Sequence, residues 1–119
     1  MDVESNVQKM DEMVTQGDIV NAVKAFFAEH AQTSDYGDVK TTNKDQMIEK
    51  MEGFLGAIAK VNGIKHHRTM ISDDASASEF TFDFDMKDGS RIYWHEIIRR
   101  VWNGDGKVEE EEYFDAKNQ

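Results

Sequence analysis

Two tight-turn signals near the C-terminus constrain this chain more than any other feature. Phe80 to Met86 alternates apolar and polar residues, Lys87-Asp88-Gly89-Ser90 reads as a turn, and Arg91 to Trp102 extends again. Asn103-Gly104-Asp105-Gly106 is a second turn, after which Val108 to Asp115 closes the run. Asp-Gly and Asn-Gly between alternating segments are strong hairpin signals, because glycine and asparagine tolerate the positive φ that such turns need. The chain therefore ends in a meander of long strands, and one face of that meander must be covered.

The first half supplies the cover. Val3, Val7, Met10 and Val14 form a helical stripe over about 2–16, with Gly17 as its stop and Asp18 as the next N-cap. A second helix over about 18–29 presents Ile19, Val23, Phe26 and Phe27. A third, over about 43–61, presents Met47, Met51, Phe54, Leu55 and Ile58. Residues 31–41 read as loop with at most one short strand. Strands are predicted at about 64–72, 76–87, 90–103 and 107–115. The expected architecture is α+β: a mostly antiparallel sheet covered by three helices, in one domain spanning 1–119.

A chain of 119 residues buries enough surface for one core without metal or disulfide staples. It contains no Cys and no Pro, which removes disulfides, thiolate zinc sites and prolyl isomerisation. No apolar run approaches the ~20 residues that span a bilayer, so a cytoplasmic protein with no membrane association is expected. A net charge of −10 disfavours nucleic acid, whose phosphates attract Lys and Arg faces.

Turn length assigns the faces. A two-residue loop at Asp88-Gly89, or a four-residue loop around it, sets Met86 opposite Arg91, so Tyr93 faces Phe84, His95 faces Phe82 and Ile97 faces Phe80. Directly opposed residues share a face. A two-residue loop in the second turn adds Val108, Glu110, Glu112 and Phe114 to that side. Three Phe make it the inside. The opposite side then carries Asp83, Asp85, Ile92, Trp94, Glu96, Ile98, Arg100, Trp102, Glu111 and Tyr113. An odd-length loop, or a bulge such as one at Ile97-Ile98, would reverse the parity beyond it.

Helix, helix, loop, helix and a terminal meander is a layout with relatives. With Gly17-Asp18, Trp94-His95-Glu96, Asp105-Gly106-Lys107-Val108 and Tyr113-Phe114-Asp115, the chain resembles the SnoaL-like branch of the nuclear transport factor 2-like superfamily. The resemblance implies a cone, a curved mixed sheet wrapped around helices with an internal pocket, often as a homodimer. It also implies neighbours that include polyketide cyclases, ketosteroid isomerases, dehydratases, epoxide hydrolases and pocketed proteins without activity. Enzymes of this group place an acid/base residue in the cavity. No single enzyme's residue set is matched throughout.

On this parity the candidate site is Tyr93, His95, Arg99, Glu110 and Glu112 on an apolar face. His95, Glu110 and Glu112 are the candidate proton-transfer groups, because burial tunes the proton affinity of carboxylates and imidazole. Tyr36, Phe82, Phe84, Tyr93, Arg99 and Phe114 are the candidate substrate-binding residues. The plainer alternative is that Arg99 and the glutamates form a structural ion pair and that His95 fills space. Tyr36 and Asp35 either close the cavity mouth or lie in a surface loop. Ile92, Trp94, Ile98 and Trp102, read as outward, are the candidate homodimer contact. His66-His67 does not read as a metal site, because neighbours on a strand point to opposite faces. No cofactor motif is present. The expected ligand is a small, largely apolar molecule, with an isomerase, cyclase, dehydratase or hydrolase acting by proton transfer. The alternative is a non-catalytic binding or association module. The Asp83/Asp85 pair reads as a solvated rim, and under reversed parity as a buried acid pair of the epoxide-hydrolase kind.

Overall fold

A computed structural model of the chain describes residues 3–117, and the side chains up to residue 115. Its elements are α1 (Val3–Thr15), α2 (Ile19–Phe26), β1 (Phe27–Asp35), β2 (Asp38–Thr41), α3 (Lys44–Gly56), β3 (Ile58–Ser72), β4 (Ala75–Met86), β5 (Arg91–Trp102) and β6 (Val108–Lys117). The helix predicted to begin at residue 2 starts outside the described residues. The six strands form one sheet in the order β2-β1-β6-β5-β4-β3. Among the described residues only the β1–β6 pairing is parallel. The class is α+β, three helices on a curved mixed sheet.

Gly17 stops α1 as predicted. At φ +81 it lets its own N–H reach Val14 O at 2.9 Å and Asp18 N–H reach Met13 O at 2.9 Å, which satisfies carbonyls the helix leaves open. Asn43 caps α3, its side chain accepting from Gln46 N–H at 2.9 Å. Val7, Met10 and Val14 of α1, Ala22 and Val23 of α2 and Met47 of α3 pack with Phe80, Phe82 and Phe84 of β4 into one core. The three phenylalanines are inside, as expected.

Three boundaries differ from the sequence reading. The second helix ends at Phe26, and residues 27–35 form a strand instead of helix end and loop, because β6 offers them a parallel partner (Phe27 beside Val108, Asp35 beside Tyr113). Residues 38–41 then fold back on this strand. The third helix ends at Gly56, since Ile58 already pairs with Met86. Propensity yields to sheet pairing in each case.

The larger correction concerns parity. Met86 N–H donates to Ser90 O at 2.8 Å and Gly89 N–H to Met86 O at 3.0 Å, with Gly89 at φ +90. The loop therefore has three residues, Lys87 to Gly89, with its last in the left-handed region, the usual three-residue hairpin. Asp85 pairs with Arg91, Phe84 with Ile92, Phe82 with Trp94 and Phe80 with Glu96. The second turn repeats the device. Asn103 N–H donates to Lys107 O at 2.7 Å, and Gly106 sits at φ +75. A register shift after Trp102–Val108 then sets Val101 opposite Glu110. Ile92, Trp94, Glu96, Ile98, Arg100, Trp102, Glu111 and Tyr113 thus face the helices. Tyr93, His95, Ile97, Arg99, Glu110 and Glu112 face away.

Candidate functional site

Between the helices and the concave side of the sheet lies a cavity of about 250 Å³, just under the roughly 300 Å³ at which ordinary ligand sites begin. Its walls are apolar: Met10 and Val14 from α1, Val23 from α2, Met47, Met51 and Phe54 from α3, and Phe82, Phe84, Trp94 and Ile98 from the sheet. Phe54 stacks on Trp94 with ring centroids 5.9 Å apart and meets Phe84 edge-on at 5.7 Å. Asp35 of β1, Glu96 and Arg100 of β5, and Glu111, Tyr113 and Asp115 of β6 form the polar end, and Lys50 of α3 also lines the cavity.

Local strand geometry explains how so many ionisable groups converge. Glu96, Ile98 and Arg100 are alternate residues of β5, so all turn to one face. The register shift in β6 moves Glu111, Tyr113 and Asp115 onto that face after Val108. Arg100 is 1% exposed, and a buried guanidinium needs partners. It has them: its Nε donates to Glu111 Oε2 at 2.8 Å and its Nη1 to Asp11 Oδ1 at 2.8 Å. Burial opposes the charge of Arg100, but the Glu111 and Asp11 carboxylates outweigh it and leave the pKa above its ordinary value. Asp11, behind the cavity on α1, also accepts from Thr69 and Ser78 hydroxyls, each at 2.8 Å. The Tyr113 hydroxyl donates to Glu111 Oε1. Burial and the adjacent Glu111 carboxylate push its pKa well above 10.0.

Glu96 is the group whose chemistry changes most. It is 7% exposed and hydrogen-bonded to the Asp115 carboxyl. Burial, that bond, and the charges of Asp115, Glu111 and Asp35 raise its pKa to about 10. At neutral pH Glu96 is a carboxylic acid, and the two carboxyls hold a proton between them. A proton-holding acid pair at the end of an apolar cavity can exchange protons with a bound molecule.

The predicted site residues divide by face. Phe82 and Phe84 line the cavity. His95, Glu110, Glu112, Tyr93, Arg99 and Phe114 do not: reversed parity places them on the convex side. There His95 Nε2 meets Glu79 at 2.5 Å with its side chain 49% exposed. Arg99 bridges Glu112 at 3.0 Å and Glu110 at 3.4 Å, which is the structural ion-pair alternative. Tyr36 is exposed at φ +50, packs edge-on against Phe114 and bonds the Asp115 carbonyl. Its neighbour Asp35 reaches the cavity instead. Ile92, Trp94, Ile98 and Trp102 point inward, so they cannot be an outward dimer contact. Asp83 is on the convex side with Arg91 and Asn62, and Asp85 with Asn62; the pair is not buried in the cavity. His66 packs on Phe80 while His67 bonds Thr81 and stacks near His95, on opposite faces as strand alternation requires.

Sequence reasoning missed Glu96, Arg100, Glu111 and Asp115 as site residues because it chose an even loop. It missed Asp11 although the signal was present, a carboxylate four residues after Val7 and three before Val14 on an apolar helical stripe.

No protein-family model matches the sequence, and no curated protein matches it either. Solved structures do resemble the fold. A protein assigned as a SnoaL-like polyketide cyclase from Mesorhizobium loti superposes with a TM-score of 0.84 at 21% identity, covering 96% of this chain and 99% of its own. SalBIII, an epoxide hydrolase/cyclase-like enzyme with a role in pyran ring formation in the polyether salinomycin, gives 0.75 at 17% identity, covering 96% and 90%. An epoxide hydrolase of the LEH-like type from M. tuberculosis gives 0.75 at 13%, covering 95% and 81%.

Proposed function

Given that this chain has the SnoaL-like fold of the nuclear transport factor 2-like superfamily, we propose that its cavity binds a small, largely apolar molecule and moves a proton on it. The observation that carries this reading is the Glu96–Asp115 pair, placed where the apolar walls end. Two carboxyls that hold a proton between them can give one up and take another back, which isomerisation, cyclisation and dehydration all need. Arg100, itself held by Asp11, keeps Glu111 in place, and Glu111 in turn orients the Tyr113 hydroxyl toward itself. Proteins of similar fold described as cyclase-like or epoxide hydrolase-like make these reaction types the first to try.

The test uses small lipophilic hydroxyketones in D₂O. Wild type is expected to be thermally stabilised by members of the set and to speed deuterium entry at the α-carbon. Glu96→Gln is expected to keep the stabilisation and lose the exchange. Stabilisation without exchange in wild type would favour the second reading, a binding protein without catalysis. No stabilisation by any member sinks both.

Self-association is supported by a separate observation. Tyr93 and Ile97 are 48% and 44% exposed and share the convex face of the sheet. A homodimer through that face predicts that Ile97→Glu runs as a monomer in light scattering where wild type runs as a dimer. Unchanged mass in the variant removes the contact.

A further inference from the structure

Hydrogen-bond directions at the polar end of the cavity restrict what it can hold. The Tyr113 hydroxyl directs its proton to Glu111. Arg100 Nε and Nη1 are committed to Glu111 and Asp11. The proton of the Glu96–Asp115 pair lies in the bond between them. What Tyr113, Glu96 and Asp115 still offer a guest is lone pairs, so at these three groups a guest with only lone pairs of its own meets acceptors with an acceptor.

Charge narrows the class further. The ionisable groups that line the cavity around Glu96 are Asp35 from β1, Arg100 from β5, Glu111, Tyr113 and Asp115 from β6, and Lys50 from α3. Carboxyls outnumber cations, and the strongest cation, Arg100, is shared with Asp11 behind the wall. Phe54, Phe84 and Trp94, packed on one another, supply apolar wall in the same cavity. The cavity itself is a built pocket with apolar walls, so the hydrocarbon part of a guest is accommodated as well as its charge.

We infer that the cavity selects a small lipophilic ammonium ion, its hydrocarbon part against Phe54, Phe84 and Trp94 and its N–H donors on Glu96, Asp115 and Tyr113 oxygens. The inference rests on the cavity being a ligand site and adds the class of ligand. The guest's N–H donors use the lone pairs left over, so the proton between Glu96 and Asp115 stays in place.

Cyclohexylamine, cyclohexanol and cyclohexanone have the same number of heavy atoms and differ in polar group, so they separate these contributions. Each is titrated at pH 7.5 into the whole chain by calorimetry in two buffers of different ionisation enthalpy. Methyl NMR signals of the cavity methionines Met10, Met47 and Met51 localise the binding. Charge-assisted hydrogen bonds should make the amine at least about tenfold tighter than the ketone. No proton should be released with the amine or with the alcohol, because the pair keeps its own. Glu96→Gln should lower amine affinity and spare cyclohexanone. If that variant does not fold, the wild-type affinity ratios still decide. Cyclohexanone or cyclohexanol binding as tightly as the amine overturns the ammonium assignment while leaving a ligand cavity. Failure of all three to perturb the methionine signals overturns the assignment and the cavity reading together.

Discussion

Arg99 and Arg100 are neighbours on one strand, and both bridge carboxylates of β6, yet they live in different solvents. Arg99 reaches Glu112 and Glu110 on the convex face with its side chain 38% exposed; Arg100 reaches Glu111 and Asp11 on the concave face with 1% exposed. Residue type and pairing are the same. Only the face differs, and it converts a solvated ion pair into the back wall of a cavity. Cutting both pairs breaks the comparison most severely. Arg100→Ala strands Asp11 and Glu111 as buried uncompensated charges and should cost about 3–5 kcal/mol in urea unfolding. Arg99→Ala should cost no more than about 1 kcal/mol. Equal losses would show that the two faces are not differently solvated.

That contrast also marks how far the sequence was readable. The hairpins, the three helices and the phenylalanine face of β4 follow from periodicity and turn residues. So does the grouping of Arg99 with Glu110 and Glu112, and of Arg100 with Glu111, because pairing across β5 and β6 preserves those sets. Which set joins the phenylalanines depends on one residue of loop length. Asp88-Gly89 fits a two-residue loop and a three-residue loop ending in Gly89 equally well by composition, and the structure takes the second. A period of two turns that single residue into an exchange of every side chain on β5. β1 was hidden for another reason: Phe27 to Asp35 has no alternation of its own, and its partner β6 lies more than seventy residues away.

The next pair of neighbours, Trp94 and His95, sharpens the same point with a smaller effect. Trp94 lines the cavity and stacks on Phe54. Since it is half-buried, Trp94→Ala should cost roughly 2 kcal/mol, about half the cost of a fully enclosed tryptophan. It should also weaken any cavity ligand. A variant with wild-type stability and ligand response would remove Trp94 from the wall.

Glu96 tests the concave face through pH. Folded, it keeps its proton to about 10; unfolded, it ionises near the model-peptide value of 4.5. Between those values the native state binds the extra proton, so its contribution is complete below the lower value and is lost as pH rises through the window. The slope is at most about 1.4 kcal/mol per pH unit. Glu96→Gln cannot ionise, so its urea midpoint should fall less than that of wild type between pH 5 and pH 8. Parallel pH profiles would mean that Glu96 is ionised in the native protein.

His95 should give the smallest response, and for that reason it isolates parity best. It sits one residue from Glu96, beside Trp94, and carries the side chain most readily read as catalytic. Its ring nevertheless meets Glu79 on the convex face, half exposed, and its bond to Glu79 lowers that carboxylate's pKa ahead of the opposing cost of burial. An exposed pair of this kind holds little stability and touches nothing in the cavity. His95→Ala should therefore leave the thermal midpoint within the scatter of repeated melts and leave ligand-induced stabilisation intact, while Trp94→Ala and Glu96→Gln change one or both. Loss of ligand response in His95→Ala alone would return the imidazole to the cavity and overturn the three-residue loop from which the whole concave site follows.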